Sequence, residues 1–292
     1  MRIKEVLIAG LLVLSILVIS GVEQCPTTGI GGIGGGGKTQ ASSYGLDFTL
    51  SEGLDKLTAG KAFNLGDTFY AEAVIENYDS EQRTGNICIR DDIDDAYGGI
   101  QGYCKPFTIP GATYIESKLE SPASIKVIFP EKEYYSYKGL FADVNVKAYI
   151  TVSYIQHSII SGEIKSPDPE TETLTLQQIA APIKVTAEKT ISAKDENLKA
   201  NVKFSLQKQG TYNITTTDFK RNAAAYSVKI GNLAVTCPPS ENNQGIIEFE
   251  NTKFISCSAL LPREQRTEPF ILTLDYGVKL TKDFGFKIKK TE

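Results

Sequence analysis

The sequence predicts an all-β chain: two tandem antiparallel β-sandwich domains behind an N-terminal hydrophobic helix and a glycine-rich tether. Three observations carry that expectation. From Asp47 onward apolar residues recur with a period of two, a single long apolar run sits at the N-terminus, and an acidic stretch with two prolines splits the remainder into halves of similar size. With 41% apolar residues the chain has enough hydrophobic material for real cores, which excludes wholesale disorder.

The N-terminal element comes first. Arg2 and Lys4 precede an apolar run from Val6 to Ile19 that closes with Ser20 and Gly21, the layout of an export signal. Positive charge ahead of the run stays cytoplasmic and places everything after it outside. Residues 1–24 are therefore a signal or anchor segment, with three outcomes open: cleavage near Ser20, retention in the membrane, or lipidation of Cys25. The lipidation pattern resembles bacterial-type lipoproteins but departs at Glu23 and Gln24, where small residues should stand.

Residues 25–44 form the tether. Within them Gly32-Ile33-Gly34-Gly35-Gly36-Gly37-Lys38-Thr39 matches the phosphate-binding pattern G-x4-G-K-[ST] letter for letter, and Gly29 to Gly34 matches GxGxxG. Such a loop works only when a strand enters it and a helix N-terminus leaves it. Cys25-Pro26-Thr27-Thr28 leads in here, and Gln40-Ala41-Ser42-Ser43 leads out with no helical period. The match is to composition. A flexible spacer is the reading.

The first sandwich is assigned to residues 45–165. Ala71, Ala73 and Ile75 alternate with polar neighbours, and Val144, Val146, Ala148, Ile150, Val152 and Tyr154 continue the same period. A hairpin turn is expected near His157, with Asn145–Glu163 forming one strand, a turn and a return strand. Ser166-Pro167-Asp168-Pro169-Glu170 opens an acidic linker over 166–181, because prolines cannot donate to a sheet. Leu174, Leu176 and Ile179 within it can form a docking strand. The second sandwich, 182–292, shows alternation at Leu198–Leu206, Phe270–Tyr276 and Phe284–Ile288, and Phe270–Lys287 is read as another strand, turn and return. Glycine and Asn-Asp turn signals punctuate both halves, and each half has the usual size of an immunoglobulin-like sandwich.

Cysteine use agrees with export. Cys88 pairs most simply with Cys104, and Cys237 with Cys257, each inside its own half. Closing each loop is worth about 3 kcal/mol in the chain-entropy account. Cys25 is then the odd cysteine, and the lack of a CxxC disfavours a zinc knuckle.

Phe63-Asn64-Leu65-Gly66-Asp67-Thr68-Phe69, followed by Val74-Ile75-Glu76-Asn77, resembles the opening of CARDB-like and related immunoglobulin-like surface domains. Those families show a Gly-Asp turn, an alternating strand and then Asn. The resemblance covers a short stretch of the first half. It implies modular extracellular sandwiches used for adhesion or display, and no catalytic site.

Candidate sites are few. Asp91, Asp92, Asp94 and Asp95 lie between Cys88 and Cys104 and are the candidate calcium ligands, since hard cations want several converging carboxylates; their spacing is not that of an EF-hand, and a solvated loop is the competing reading. No other cofactor is expected. Tyr134, Tyr135 and Tyr137 are candidate partner-binding residues. Asn213-Ile214-Thr215 is a glycosylation sequon. An acidic excess over 45–165 and a basic excess over 182–292 raise head-to-tail self-association. With a net charge of −4 there is no basic footprint for nucleic acid. One histidine leaves His157 as the sole imidazole for a triad, and no G-x-S-x-G elbow accompanies it. The expectation is a non-enzymatic, membrane-tethered surface protein facing the extracytoplasmic side, acting in adhesion, display or assembly with a protein or glycan partner. The alternatives are an exported carboxylate-dependent hydrolase such as a glycoside hydrolase, against which the absence of Trp stands, and a pilin-like filament subunit.

Overall fold

The computed structural model describes residues 44–116, 118–166, 171–179, 181–194, 196–250, 252–264 and 266–290. The N-terminal apolar run, the glycine tract with Lys38, and Cys25 lie outside them. The described residues are all-β with antiparallel sheets; their one helical piece is a 3-10 turn at Asp95–Tyr97.

The strands in chain order open with β1 (Leu46–Leu50), β2 (Ala62–Asn64), β3 (Ala71–Asn77), β4 (Arg83–Arg90) and β5 (Tyr103–Ile109). Then come β6 (Thr113–Ile115), β7 (Lys118–Ser121), β8 (Ala123–Phe129), β9 (Val144–Ser166), β10 (Glu172–Leu174) and β11 (Leu176–Gln178). The rest are β12 (Ile183–Lys194), β13 (Asn197–Lys208), β14 (Asn213–Thr215), β15 (Ala223–Ile230), β16 (Val235–Thr236), β17 (Gln244–Glu248), β18 (Thr252–Pro262) and β19 (Arg266–Lys289).

Two of these strands dominate. β9 has 23 residues and β19 has 24, and they pair antiparallel from Val144–Ile288 to Ser166–Arg266 without a break. At about 3.3 Å per residue, each has a contour of roughly 75 Å. Along this ribbon the other strands hang. β4, β5 and the parallel strand β2 extend its 144–154 end, β15, β17 and β11 its 155–166 end, and β14 pairs with β19 at the middle, opposite residues 153–155, giving a nine-stranded sheet.

Two smaller sheets lie over the ribbon. The order β1-β3-β8 makes the first, which meets the large sheet where Lys282 on β19 reaches Asp47 and the Phe48 carbonyl on β1. Phe69, Tyr137 and Phe286 pack together in that half. The second has the order β10-β12-β13-β18-β16, and Phe204 on β13 packs on Phe270 of β19 with ring centroids 5.5 Å apart. Its face also carries Lys189, buried with its stem among apolar neighbours while its ammonium meets the Lys165 carbonyl at 2.8 Å and Glu172 at 2.7 Å.

The ribbon changes the expected division of the chain. Strands from 45–165 and 182–292 share one sheet, and the described residues fall in one compact unit. The expected linker contributes β10 to the five-stranded sheet and β11 to the nine-stranded one. Neither expected hairpin forms: His157 lies mid-strand on β9, and Phe270–Lys287 runs straight through β19. The reason is polar residues on the buried face. Gln156 donates to Asp79 at 3.2 Å, and Ser158 hydrogen-bonds the Tyr276 hydroxyl at 3.2 Å. With those partners the burial period passes through Gln156 and Ser158 unbroken. Gly162 is fixed by the same pairing, because a Cβ there would lie 2.6 Å from the ring of its partner Phe270.

The topology also redistributes charge. The lysine-rich end of β19 belongs to the acidic first half, where Lys282 pairs with Asp47 at 2.5 Å, Lys287 with Asp143 at 2.7 Å and Lys147 with Asp283 at 3.1 Å. Part of the basic excess that motivated head-to-tail association is thus placed within the first half.

Both cysteine pairs are joined, Cys88 to Cys104 and Cys237 to Cys257. The first links directly opposed residues of β4 and the edge strand β5 on the solvent side; the second is buried, just after the edge strand β16 and on β18. Each one fastens a sheet edge to its neighbour.

Two predictions follow from this arrangement. Because one sheet spans both halves, thermal unfolding followed by circular dichroism should show a single cooperative transition, whereas independent domains would give two. The second concerns Glu72 on β3, which Lys56 holds at 2.9 Å and Lys126 at 3.1 Å. The hydrogen bond from Lys56, ahead of those from Ser51 and Lys126, lowers its carboxyl from the ordinary 4.5 to about 2. A depressed carboxyl stabilises the fold fully above 4.5 and loses that contribution as pH falls toward 2. The melting temperature should drop across that window, and Glu72→Gln should start lower at neutral pH and lose less on acidification.

Candidate ligand cleft

The acidic loop and the tyrosine cluster, far apart in sequence, meet at the end of the ribbon away from Tyr154. Their meeting is built from the Asp91 carboxylate. One oxygen accepts from the Ile93 amide at 3.0 Å; the other accepts from the Ile100 amide at 2.8 Å and from the Tyr137 hydroxyl. Tyr137 is buried, and burial followed by the Asp91 contact raises its hydroxyl far above the usual phenol range, so it stays a donor. Gly99 makes this contact sterically feasible: its φ is 82°, and a Cβ would lie 2.1 Å from the Tyr137 ring.

The other aspartates have separate duties. Asp92 accepts from the Lys147 amide at 2.8 Å, and Asp94 caps the 3-10 turn through the Ala96 amide at 2.9 Å. Asp91, Asp92 and Asp94 thus each hold backbone amides, and Asp95 opens the 3-10 turn. Among the described residues no group of three or more His, Cys, Asp or Glu side chains is gathered as for a metal ion.

The three tyrosines divide by strand parity. Tyr135 and Tyr137 point inward, with Tyr135 exchanging both backbone hydrogen bonds with Phe69 at 2.7 and 2.9 Å. Tyr134 points out and is 62% exposed. Gly99 donates to the Ser136 carbonyl at 2.8 Å and Lys138 to the Tyr97 carbonyl at 2.9 Å, which locks residues 97–99 against 136–138.

Between these segments lies a cleft of about 440 Å³. Gly98, Gly99, Gly102 and Tyr103 form one wall, and Pro130, Glu131, Glu133, Tyr134 and Lys138 the other. Tyr103 is 48% exposed. Glu131 is paired with Lys105 at 3.0 Å. Tyr135 also lines the cleft; its hydroxyl is buried without a hydrogen-bond partner among the described residues, and burial pushes it up to about 12. A second hollow of about 240 Å³ lies against the same Tyr134, lined also by Tyr70, Ile128 and Lys132. Tyr70 meets Tyr134 edge-on with centroids 5.9 Å apart and steadies its ring. Clefts of a few hundred cubic ångströms are the size that small ligands occupy.

The remaining candidates are placed elsewhere. His157 and Asp275 are cross-strand partners on the outer face of the large sheet, with Nδ1 and Oδ1 2.5 Å apart and both side chains about half exposed. Asn213 is exposed at the start of β14. Tyr103, Glu131, Glu133 and Lys105 are not marked by any motif in the sequence; for the two glutamates the available signal is the charged run Glu131-Lys132-Glu133 leading into Tyr134 and Tyr135.

No family model matches the chain, and a search of curated proteins finds no match.

Asp91 should matter to stability well beyond its loop. Asp91→Ala strands two amides and a buried hydroxyl and should cost about 2–3 kcal/mol in urea unfolding, while Tyr137→Phe should cost about 1 kcal/mol. Equal, negligible costs for both would show that the loop is held by other contacts.

Proposed function

We propose that the chain is a membrane-tethered, extracytoplasmic, non-catalytic surface protein that presents its first half to a partner in adhesion, display or assembly. The observation that carries this reading is the pair of disulfides at sheet edges. Cys104 is exposed, so its bond to Cys88 survives only in an oxidising compartment. The charged start and apolar run from Val6 to Ile19 supply the export signal and the anchor. No helix among the described residues is long and apolar enough to cross a membrane, so the anchor in this reading is that run.

On the same reading, the packed layers are two immunoglobulin-like sandwiches sharing the β9–β19 ribbon, and the first is CARDB-like. Supporting the likeness, Gly66 takes φ 89° in its turn, Asp67 accepts from the Asn64 amide at 2.7 Å, and Asn77 ends β3 by donating to the carbonyls of Glu81 and Pro110, each at 2.8 Å. A second reading, an exported carboxylate-dependent hydrolase, draws on Glu131 and Glu133 lining one cleft.

Location is the direct test. Full-length protein produced in a bacterial host should fractionate with membranes, be digested by protease added to intact cells, and carry both disulfides on non-reducing mass mapping. A soluble, protease-protected chain with four free thiols overturns the proposal.

A further inference from the structure

The geometry points to the cleft between residues 98–103 and 130–138 as a binding site for a neutral saccharide chain, with Tyr134 as the ridge over which the chain lies. This inference rests on the surface-protein reading and names the ligand class of its first half.

Glu131 is held by Lys105, Glu133 is offset by Lys138 in the same lining, and the adjoining hollow adds Lys132, so charges of both signs are mixed and neither dominates the cleft. It offers phenol faces with polar edges. Tyr103 and Tyr134 expose about half or more of their surface, and both line the cleft. Around them stand a carboxamide, hydroxyl, carboxylate and ammonium from Gln101, Ser136, Glu133 and Lys138. A neutral sugar is the complement of that set: C–H faces that lie on an aromatic ring, and hydroxyls that both donate and accept.

Shape gives the second line. Hollows of about 440 Å³ and 240 Å³ share Pro130, Glu131, Glu133 and Tyr134, so one exposed ring separates two adjoining depressions. A single compact ligand fills one; a chain of linked rings spans both. Gly102 on one wall, where a Cβ would meet nothing nearer than 3.9 Å, adds no side chain to narrow the approach.

A third observation is independent of charge and shape. The Tyr135 hydroxyl has no hydrogen-bond partner among the described residues, and its residue, 9% exposed, is one of those lining the cleft. Leaving a buried hydroxyl unmet is costly, and such groups are uncommon without a reason. A ligand hydroxyl seated in the cleft supplies the missing partner after a small shift of the ring. Burial keeps Tyr135 protonated and able to donate.

The test uses the full-length chain in detergent, titrated by calorimetry with maltotriose, cellotriose and triacetylchitotriose, and with trilysine and sialyllactose as charged controls. Binding of at least one neutral trisaccharide, with weaker or no binding of the charged probes, is expected. Tyr134→Ala should weaken it by about tenfold or more, while Tyr134→Phe, which keeps the ring face, should stay within about threefold of wild type. Melting curves of the variants establish that they fold. Binding that is indifferent to Tyr134→Ala, or confined to trilysine or sialyllactose, or absent for every saccharide at millimolar concentration, overturns the inference while leaving the membrane location intact. Cleavage of a bound trisaccharide supports the saccharide site and instead overturns the non-catalytic part of the surface reading.

Discussion

The antiparallel pairing of β9 with β19 is the constraint on which the rest of the described structure depends. A strand pair that crosses both halves in one register leaves no freedom to set the halves independently. A one-residue slip would turn every inward side chain outward along the whole ribbon, from Val146 to Ile164 on one strand and from Phe270 to Ile288 on the other. Neither half can therefore tolerate a local error in this pairing without exposing the core of the other.

What holds the middle of the ribbon is polar. Arg83 pairs with Asp79, Asp79 accepts from Gln156, and Ser158 meets Tyr276, all in buried surroundings. Nearby, Tyr154 accepts the Leu46 amide at 3.3 Å onto its hydroxyl, and Tyr212 donates to the carbonyls of Tyr44 and Leu46. Apolar packing dominates on either side of this zone, so the two halves are joined through directional bonds where a purely hydrophobic seam would allow sliding.

Much of this was legible in sequence, and the misreadings have identifiable causes. Period-two alternation gave the all-β class, because a strand with one buried face writes its geometry into every second residue. The local cysteine pairs were readable from spacing, since each joins a sheet edge to the strand beside it. The false hairpins arose around His157, where the polar residues Gln156 and Ser158 look like a turn, and within Phe270–Lys287, read as a strand, turn and return. Parity held the contrary information: Phe270 through Tyr276 and Phe284 through Ile288 are all even-numbered, as are Val144 through Tyr154, Ile160 and Ile164. An intervening turn and return would not ordinarily preserve that phase. Lys282 occupies an inward position because its ammonium finds Asp47 and the Phe48 carbonyl, a partner more than two hundred residues away that local reading cannot supply. Tyr135 and Tyr137 read like Tyr134 in sequence for a related reason: aromatic clusters look alike whether they face water or core, and only the pairing with Phe69 settles the parity. The cleft itself combines segments brought together by tertiary contacts, so only its separate walls were written in the sequence.

The place where the chain enters has a mechanical meaning. Tyr44 is held beside Tyr212, at the junction of the halves, whereas the cleft lies at the opposite end of the first half. β1 runs from that entrance toward the cleft and is bonded lengthwise to β3 through five successive residue pairs. Tension arriving at Tyr44 and resisted at the cleft acts along β1, so those pairs are loaded together in shear and none can be peeled ahead of the rest.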